Sequence, residues 1–433
     1  MRAPRALLAA GVLIASAAAR TALAQPTAVI AAAGDIACDP LDPSYNGGNG
    51  TATNCHMKAT SDLLVAGGYT AVLVLGDNQY EMGALASYQT VFETSWGRVK
   101  GLIRPVPGNH EYVTPGATGY YGYFGAAAMD PTKGYYSYDL GGWHLIALNS
   151  NCADIGGCNA GSPQEQWLAA DLAAHPGVCT LAYWHHPRFS SGPHGDDATY
   201  DAFWQDLHAA GADVVLNGHD HDYERFAPQN PGGTADAMGG LREFVVGTGG
   251  KNQTAWGLPP PKSEVRRNDT FGVLKLNLYP YSYEWQFVPE AGKTFTDTGG
   301  GLCHSAAAAR LTRFYTVPPC RLADTRTTGP ALGANTERTF SAAGVCGIPG
   351  TALAAAVNVT AVGATELGDL RVYPRGAPVP PASTLNFPPA RARANNAIVA
   401  LGVAGQLAVL TDMAPGSTGQ VHLVLDVTGY FAP

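Results

Sequence analysis

One event recurs through the first half of the chain: a short β-prone run stops, usually at glycine, and a carboxylate, amide or imidazole follows. Ala28-Val-Ile-Ala-Ala-Ala33 leads to Gly34-Asp35, and the run closing at Leu75 leads to Gly76-Asp77-Asn78-Gln79-Tyr80. Arg104-Pro-Val-Pro leads to Gly108-Asn109-His110-Glu111, and Cys179-Thr-Leu-Ala-Tyr183 to Trp184-His185-His186-Pro187. Val214-Val-Leu216 leads through Gly218 to His219-Asp220-His221. Helix-like stretches separate these runs, at Lys58 to Ala66, Gly83 to Val99, Pro163 to Ala174 and Tyr200 to Ala210. Strands alternating with helices predict a layered α/β fold. In such folds the loops at the carboxyl ends of the strands gather polar groups into one crevice. Tyr135 to Asp139 with Trp143 to Asn149, and Phe271 to Val288, read as strand pairs.

The 433 residues are enough for two or three domains. A net charge of −8 offers no basic surface, so nucleic acid recognition is not expected. Residues 1–24 read as a signal peptide. Arg2 and Arg5 precede an apolar run from Ala6 to Ala19, and Ala22-Leu-Ala24 supplies the small residues of a cleavage site. That run is short for a membrane anchor, and no later segment is long and apolar enough to span a bilayer. The mature protein is therefore expected to be secreted, extracytoplasmic and without a membrane span. Eight cysteines without a C-x-x-C pair suit an oxidising compartment. Nearest-neighbour pairing gives Cys38–Cys55, Cys152–Cys158, Cys179–Cys303 and Cys320–Cys346. Arg outnumbers Lys and Ala is abundant, the composition of a high-GC bacterial genome.

The character of the chain changes near residue 305. An Ala-rich linker is placed at 305–312, after a first domain over 25–304. Residues 313–433 lack Lys and Trp and break into short apolar runs between Gly and Pro. Strands are expected at Leu353 to Ala361, Asp369 to Tyr373, Ser383 to Phe387, Ala397 to Thr411 and Gln420 to Phe431, giving a smaller β-sandwich. This part carries no clustered nucleophile, acid/base pair or ligand set. It resembles β-rich modules of other secreted bacterial proteins, and binding of cell wall or another extracellular partner is the role left to it.

Taken singly, the strand-end residues have plain explanations. Asp after Gly is a common turn, Asn-His a turn pair, a Tyr usually packing, and an H-x-H in a loop is as readily two solvated histidines as a ligand pair. Taken together, Asp35, Asp77, Tyr80, Asn109, His185, His219 and His221 supply carboxylate, phenol, amide and imidazole donors, a set suited to first-row transition metals. A carboxylate shared between two ions would make a two-metal site.

The set Gly34-Asp35, Gly76-Asp77-x-x-Tyr80, Gly108-Asn109-His110-Glu111, His185-x-Pro187 and Gly218-His219-x-His221 resembles the calcineurin-like metallophosphoesterases, and within them the purple acid phosphatase branch. The resemblance runs from about Thr27 to His304. Tyr80 marks the branch: others place His two residues after the first Asp, where this chain has Ala37. The family's first block reads Asp-x-Gly, so Ala37 is a departure that narrows the backbone approach without removing a ligand. The resemblance implies a layered αββα metallophosphoesterase sandwich, followed here by the smaller all-β domain. It implies Asp35, Tyr80 and His221 on a first metal, Fe³⁺, and Asn109, His185 and His219 on a second, Fe²⁺, Zn²⁺ or Mn²⁺, with Asp77 bridging. His186 is then a pocket wall, and His110 and His194 are the candidate proton donors. The implied activity is hydrolysis of small-molecule phosphate monoesters by attack of a metal-bound hydroxide. A phosphodiesterase or nucleotide pyrophosphatase using the same site is the alternative, and a non-catalytic cell-surface binding protein the more distant one.

Asp220, Asp222, Glu224 and Arg225 are read either as partners orienting the ligand imidazoles or as surface ion pairs. Gly247-Thr-Gly-Gly250 is expected to be a tight turn rather than a phosphate cradle. The tyrosines from Tyr112 to Tyr138 are expected to pack in the core.

Overall fold

The computed structural model describes residues 25–256, 262–304 and 313–432. The signal peptide placed at 1–24 and the linker placed at 305–312 lie outside the described residues. Strands β1 (Ala28–Ala33), β2 (Ala71–Leu75) and β3 (Ile103–Val106) run parallel side by side. The chain then builds a second sheet from β4 (Tyr136–Leu140), β5 (Trp143–Ala147), β6 (Cys179–Tyr183), β7 (Val214–Asn217), β8 (Tyr223–Phe226), β9 (Arg242–Val246) and β10 (Ser263–Arg267). Its order is β10-β8-β9-β7-β6-β5-β4, with β5, β6, β7 and β9 parallel. Strands β11 (Gly272–Tyr279), β12 (Ser282–Pro289) and β13 (Thr298–Leu302) return to the first sheet, where β11 pairs antiparallel with β1.

Alternation along the strands explains why the layers stack. In β5, β6 and β7, Leu145, Leu181 and Leu216 enter a core shared with Ile30, Leu73 and Leu274 of the first sheet. Their neighbours Ile146, Ala182 and Val215 point the other way, into a second cluster with Leu168, Leu172, Phe203 and Leu207. Successive side chains leave a strand on opposite faces, so strands apolar throughout must be covered on both. The cover is the helix Pro163–Ala174, begun by Pro163 and capped by the Ser162 hydroxyl on Glu165 N–H at 3.4 Å, together with the helix Asp201–Ala209. The helix Met57–Ala66 and the aromatics Phe92 and Trp96 join the core of the first sheet. This is the expected layered sandwich. The helix-like stretch read over Gly83 to Val99 is instead three short helical pieces, Leu85–Ser87, Tyr88–Phe92 and Trp96–Leu102, which bury Tyr88, Val91, Phe92 and Trp96.

Beyond residue 313 the described chain is all β, with a five-stranded and a four-stranded sheet around a separate apolar cluster containing Val359, Leu370, Phe387, Leu407 and Leu425. The run Ala397 to Thr411, expected as one strand, is two: Arg393–Ala400 and Gln406–Met413, separated by a turn containing Gly402 and Gly405. Strands Arg313–Asp324 and Glu337–Ser341 escaped the sequence reading because they are largely exposed and lack an apolar run. Arg375 reaches Glu284 of β12 at 2.6 Å, and Ala404 N–H reaches the Ser282 hydroxyl at 3.2 Å. The four expected disulfides all form: Cys38–Cys55, Cys152–Cys158, Cys179–Cys303 and Cys320–Cys346. No helix among the described residues is long and apolar enough to cross a membrane.

Candidate metal centre

The strand ends converge. Asp35 follows β1, Asp77 and Tyr80 follow β2, Asn109 follows β3, His185 follows β6, and His219 and His221 follow β7. Asp35, Asp77 and His219 take left-handed backbone angles, with φ of 60°, 46° and 71°, which non-glycine residues rarely adopt. Two neighbouring glycines allow the crowding. A Cβ on Gly108 would lie 2.2 Å from Asp77 Oδ1, and one on Gly218 2.7 Å from Asp35 Oδ2.

The donor atoms fall into two groups that share one oxygen. The Tyr80 hydroxyl lies 2.8 Å from Asp35 Oδ1, 3.0 Å from His221 Nε2 and 3.1 Å from Asp77 Oδ2. His185 Nε2 lies 3.1 Å from Asn109 Oδ1, 3.2 Å from His219 Nδ1 and 3.3 Å from the same Asp77 Oδ2. All seven residues read from the sequence are thus brought together around Asp77.

The set fits cations better than it fits itself. His185 Nδ1 faces the Leu75 carbonyl at 2.8 Å and must donate to it, which leaves Nε2 of the neutral ring a bare lone pair. That lone pair points at a carboxylate oxygen, an amide oxygen and another imidazole nitrogen. With His219 in the tautomer bare at Nδ1, these buried acceptors have no donor between them and call for a positive charge. In the protein alone a proton supplies it: burial opposes, but Asp77 and Asp35 push His185 up to about 9. Asp77 is held well below the usual carboxylate range, against its burial, chiefly by His185. Burial and the two carboxylates raise the Tyr80 phenol well above its ordinary value, so it becomes a phenolate ligand only when a cation displaces its proton.

The candidate proton carriers sit at the edge of the cluster. The His110 backbone N–H donates to Asp77 Oδ1 at 2.9 Å, while its ring Nδ1 is 2.6 Å from the Glu81 carbonyl. His194 places Nδ1 2.6 Å from Asp220 Oδ1, and its ring centroid is 3.9 Å from that of His219. Asp220 therefore orients His194, not the ligand imidazoles. Asp222, Glu224 and Arg225 do not orient them either: they bind Trp256, Ser191 and Asp297. The partner of His221 is Asn252, whose Oδ1 is 3.1 Å from Nδ1.

Other supporting residues had no clear signal in the sequence. Buried Glu111 accepts from the backbone N–H groups of Asn78 at 3.0 Å, Gln79 at 3.2 Å and Gly108 at 2.7 Å, clamping the Asp77 and Asn109 turns together. Burial and nearby Asp77 push its carboxyl up to about 7. Lys251 bonds to Asp42 at 2.8 Å and to Glu81, with its ammonium 5.0 Å from the centre of the Tyr80 ring. The glycines before Lys251 pack against the strand ends, with Gly249 N–H on the Gly34 carbonyl at 2.9 Å and Gly247 N–H on the Asp222 carbonyl at 3.0 Å. Ala37 keeps the backbone contact, accepting from Tyr80 N–H at 2.8 Å. Tyr120, Tyr123 and Tyr136 are in the core, as expected.

Residues 29–223 match the calcineurin-like phosphoesterase family model. The chain is 31% identical over 154 residues to purple acid phosphatase 22 of Arabidopsis thaliana, a match covering 33% of this chain and 34% of that one. It is 30% identical over 163 residues to purple acid phosphatase 21 of the same plant, covering 35% and 36%. A stretch of 97 residues is 36% identical to purple acid phosphatase 15, covering 21% and 18%. The chain thus spans at most about a third of the length of these relatives. A purple acid phosphatase structure from yellow lupin (Lupinus luteus) seeds superposes with a TM-score of 0.48 at 16% identity, over 63% of this chain and 53% of that one. Residues 29–223 thus match a calcineurin-like metallophosphoesterase domain, with homologues among the plant purple acid phosphatases.

Proposed function

We propose that this protein is a secreted hydrolase of phosphate esters, monoesters foremost, working with two metal ions. Asp35, Tyr80 and His221 would hold one ion, Asn109, His185 and His219 the other, and Asp77 would serve both. The oxygen-rich group suits ferric iron, and the group with two imidazoles suits Fe²⁺, Zn²⁺ or Mn²⁺. When bound, such a pair polarises phosphoryl oxygens and acidifies water into a nucleophile.

The chain's own residues supply the rest. The His110 amide fixes one oxygen of Asp77, leaving the other for the ions. His194 is anchored through Nδ1 by Asp220, so Nε2 is the nitrogen free to pass a proton to a leaving alkoxide. His110 is held the same way by the Glu81 carbonyl. The observation that carries the reading is the shared oxygen, Asp77 Oδ2, standing 3.1 Å from the Tyr80 hydroxyl and 3.3 Å from His185 Nε2. Export is supported by the four disulfides and the apolar N-terminal run. A division into a catalytic domain over 25–304 and an accessory β domain over 313–433, joined by a linker, is supported by the separate apolar clusters. Extracellular binding, to cell wall or another partner, is the role proposed for the accessory domain.

The decisive experiment measures metal content of the purified protein beside its rates on monoester and diester substrates. Faster turnover of monoesters with two metal equivalents bound is expected. Two bound equivalents with no ester hydrolysis would defeat the reading.

A further inference from the structure

His186 follows the candidate ligand His185 and was expected only as pocket wall. Its surroundings give it more to do. The Ser150 hydroxyl oxygen is 3.2 Å from the His186 backbone nitrogen and 2.8 Å from its ring Nδ1. Ser150 is only 2% exposed. Its oxygen accepts the backbone N–H, and its own proton then has an acceptor in Nδ1. Among the described residues Nδ1 is the acceptor within reach of that hydroxyl proton, which gives the tautomer with Nδ1 bare and Nε2 protonated.

The ring is fixed on its other sides too. Tyr200 stacks on it at 5.9 Å and 18°, and the Tyr200 hydroxyl is tied to the Ser150 carbonyl at 3.1 Å. The indole N–H of Trp184 holds the His186 carbonyl at 2.7 Å. The His186 ring centroid is 4.8 Å from that of His185 and 4.3 Å from that of His219. One of its ring nitrogens lies within 4.8 Å of a nitrogen of each. Nε2 makes no hydrogen bond among the described residues.

His185 Nε2 faces the Asp77 carboxylate at 3.3 Å and His219 Nδ1 at 3.2 Å, whereas His186 Nε2 meets no such partner among the described residues. The complement of an N–H at the wall of this pocket is an anionic oxygen. We propose that His186 is a substrate-binding residue, donating Nε2–H to a nonbridging oxygen of the bound phosphoryl group. The inference rests on the phosphoester reading above and adds a binding residue to it.

Long-range ¹H–¹⁵N spectra of the metal-free protein should show His186 as the Nε2–H tautomer; the Nδ1–H form would overturn the proposal. In metal-loaded protein, His186→Phe should weaken binding of inorganic phosphate, read by calorimetry, about tenfold, the scale of one hydrogen bond to a charged group. His186→Gln, which restores an N–H at similar reach, should recover most of that loss, and both variants should retain the wild-type metal content. Phosphate binding undiminished in His186→Phe, or loss of a metal equivalent from it, would also overturn the proposal. Wild-type protein that binds phosphate but cleaves no ester would sink hydrolysis alone and leave the role of His186 standing.

Discussion

The phenol of Tyr80 meets the carboxylate of Asp35 at 2.8 Å, in a pocket where neither side chain is more than 2% exposed. Two oxygens so close and so dry share a proton until something more positive replaces it.

Iron-loaded protein should therefore show a visible charge-transfer band from a tyrosinate ligand. Tyr80→Phe should lose the band while its far-UV circular dichroism matches the wild type. A coloured Tyr80→Phe variant would remove tyrosine from the ligand set.

One oxygen of Asp77, Oδ2, lies beside a donor atom of each group, 3.1 Å from the Tyr80 hydroxyl and 3.3 Å from His185 Nε2. Asp77→Ala should lower kcat/KM by roughly 10³-fold or more, since it disturbs both cations at once. His219→Ala, which removes one donor from one group, should retain at least one metal equivalent. Elemental analysis beside steady-state rates separates the two variants.

Much of this geometry is readable from the amino-acid order. Each donor follows a β-prone run, and in an α/β sheet that position alone brings distant residues to a common edge. What the sequence hides is the support. Glu111 carries no mark that its carboxylate clamps two turns, because its partners are backbone amides. Asn252 is visible only once the loop after β9 folds over His221. Asp220 lies between two ligand candidates, yet its side chain turns to His194. Exposed strands such as Glu337–Ser341 escape for another reason: without a buried face they have no apolar alternation to detect.

His194 is exposed along its ring yet anchored by a fully buried carboxylate, as suits a proton carrier at a pocket mouth. His194→Ala should slow alkyl phosphates by about 10²-fold and nitrophenyl phosphate far less, because a good leaving group departs without a proton. Equal losses on both substrates would assign His194 to binding.

The disulfides should rank by the length of chain they close. Cys179–Cys303 spans 124 residues and Cys152–Cys158 spans 6. By loop entropy the longer bridge contributes about 2–3 kcal/mol more. Replacing each pair by alanines and comparing urea midpoints tests the order.

Asp213 supplies a pH dependence away from the metal donors. It accepts from Thr180 N–H at 2.8 Å and His304 N–H at 2.7 Å, but its burial outweighs these bonds and pushes its carboxyl up to about 6, from an ordinary 3.8. A folded state that holds this proton more tightly than the unfolded chain is most favoured below pH about 4 and loses that contribution as pH rises through about 6. Urea midpoints across this range should fall for the wild type through this group, and Asp213→Asn should flatten the slope while lowering stability overall.

At Gly218 and Gly108 a single added methyl would strike a carboxylate of the candidate metal centre, Asp35 or Asp77. A related sequence could therefore keep every donor and still be silenced by alanine at either place. Surveys that count only ligands would score such a chain as active. A filter on those two empty positions would pick out the decoys.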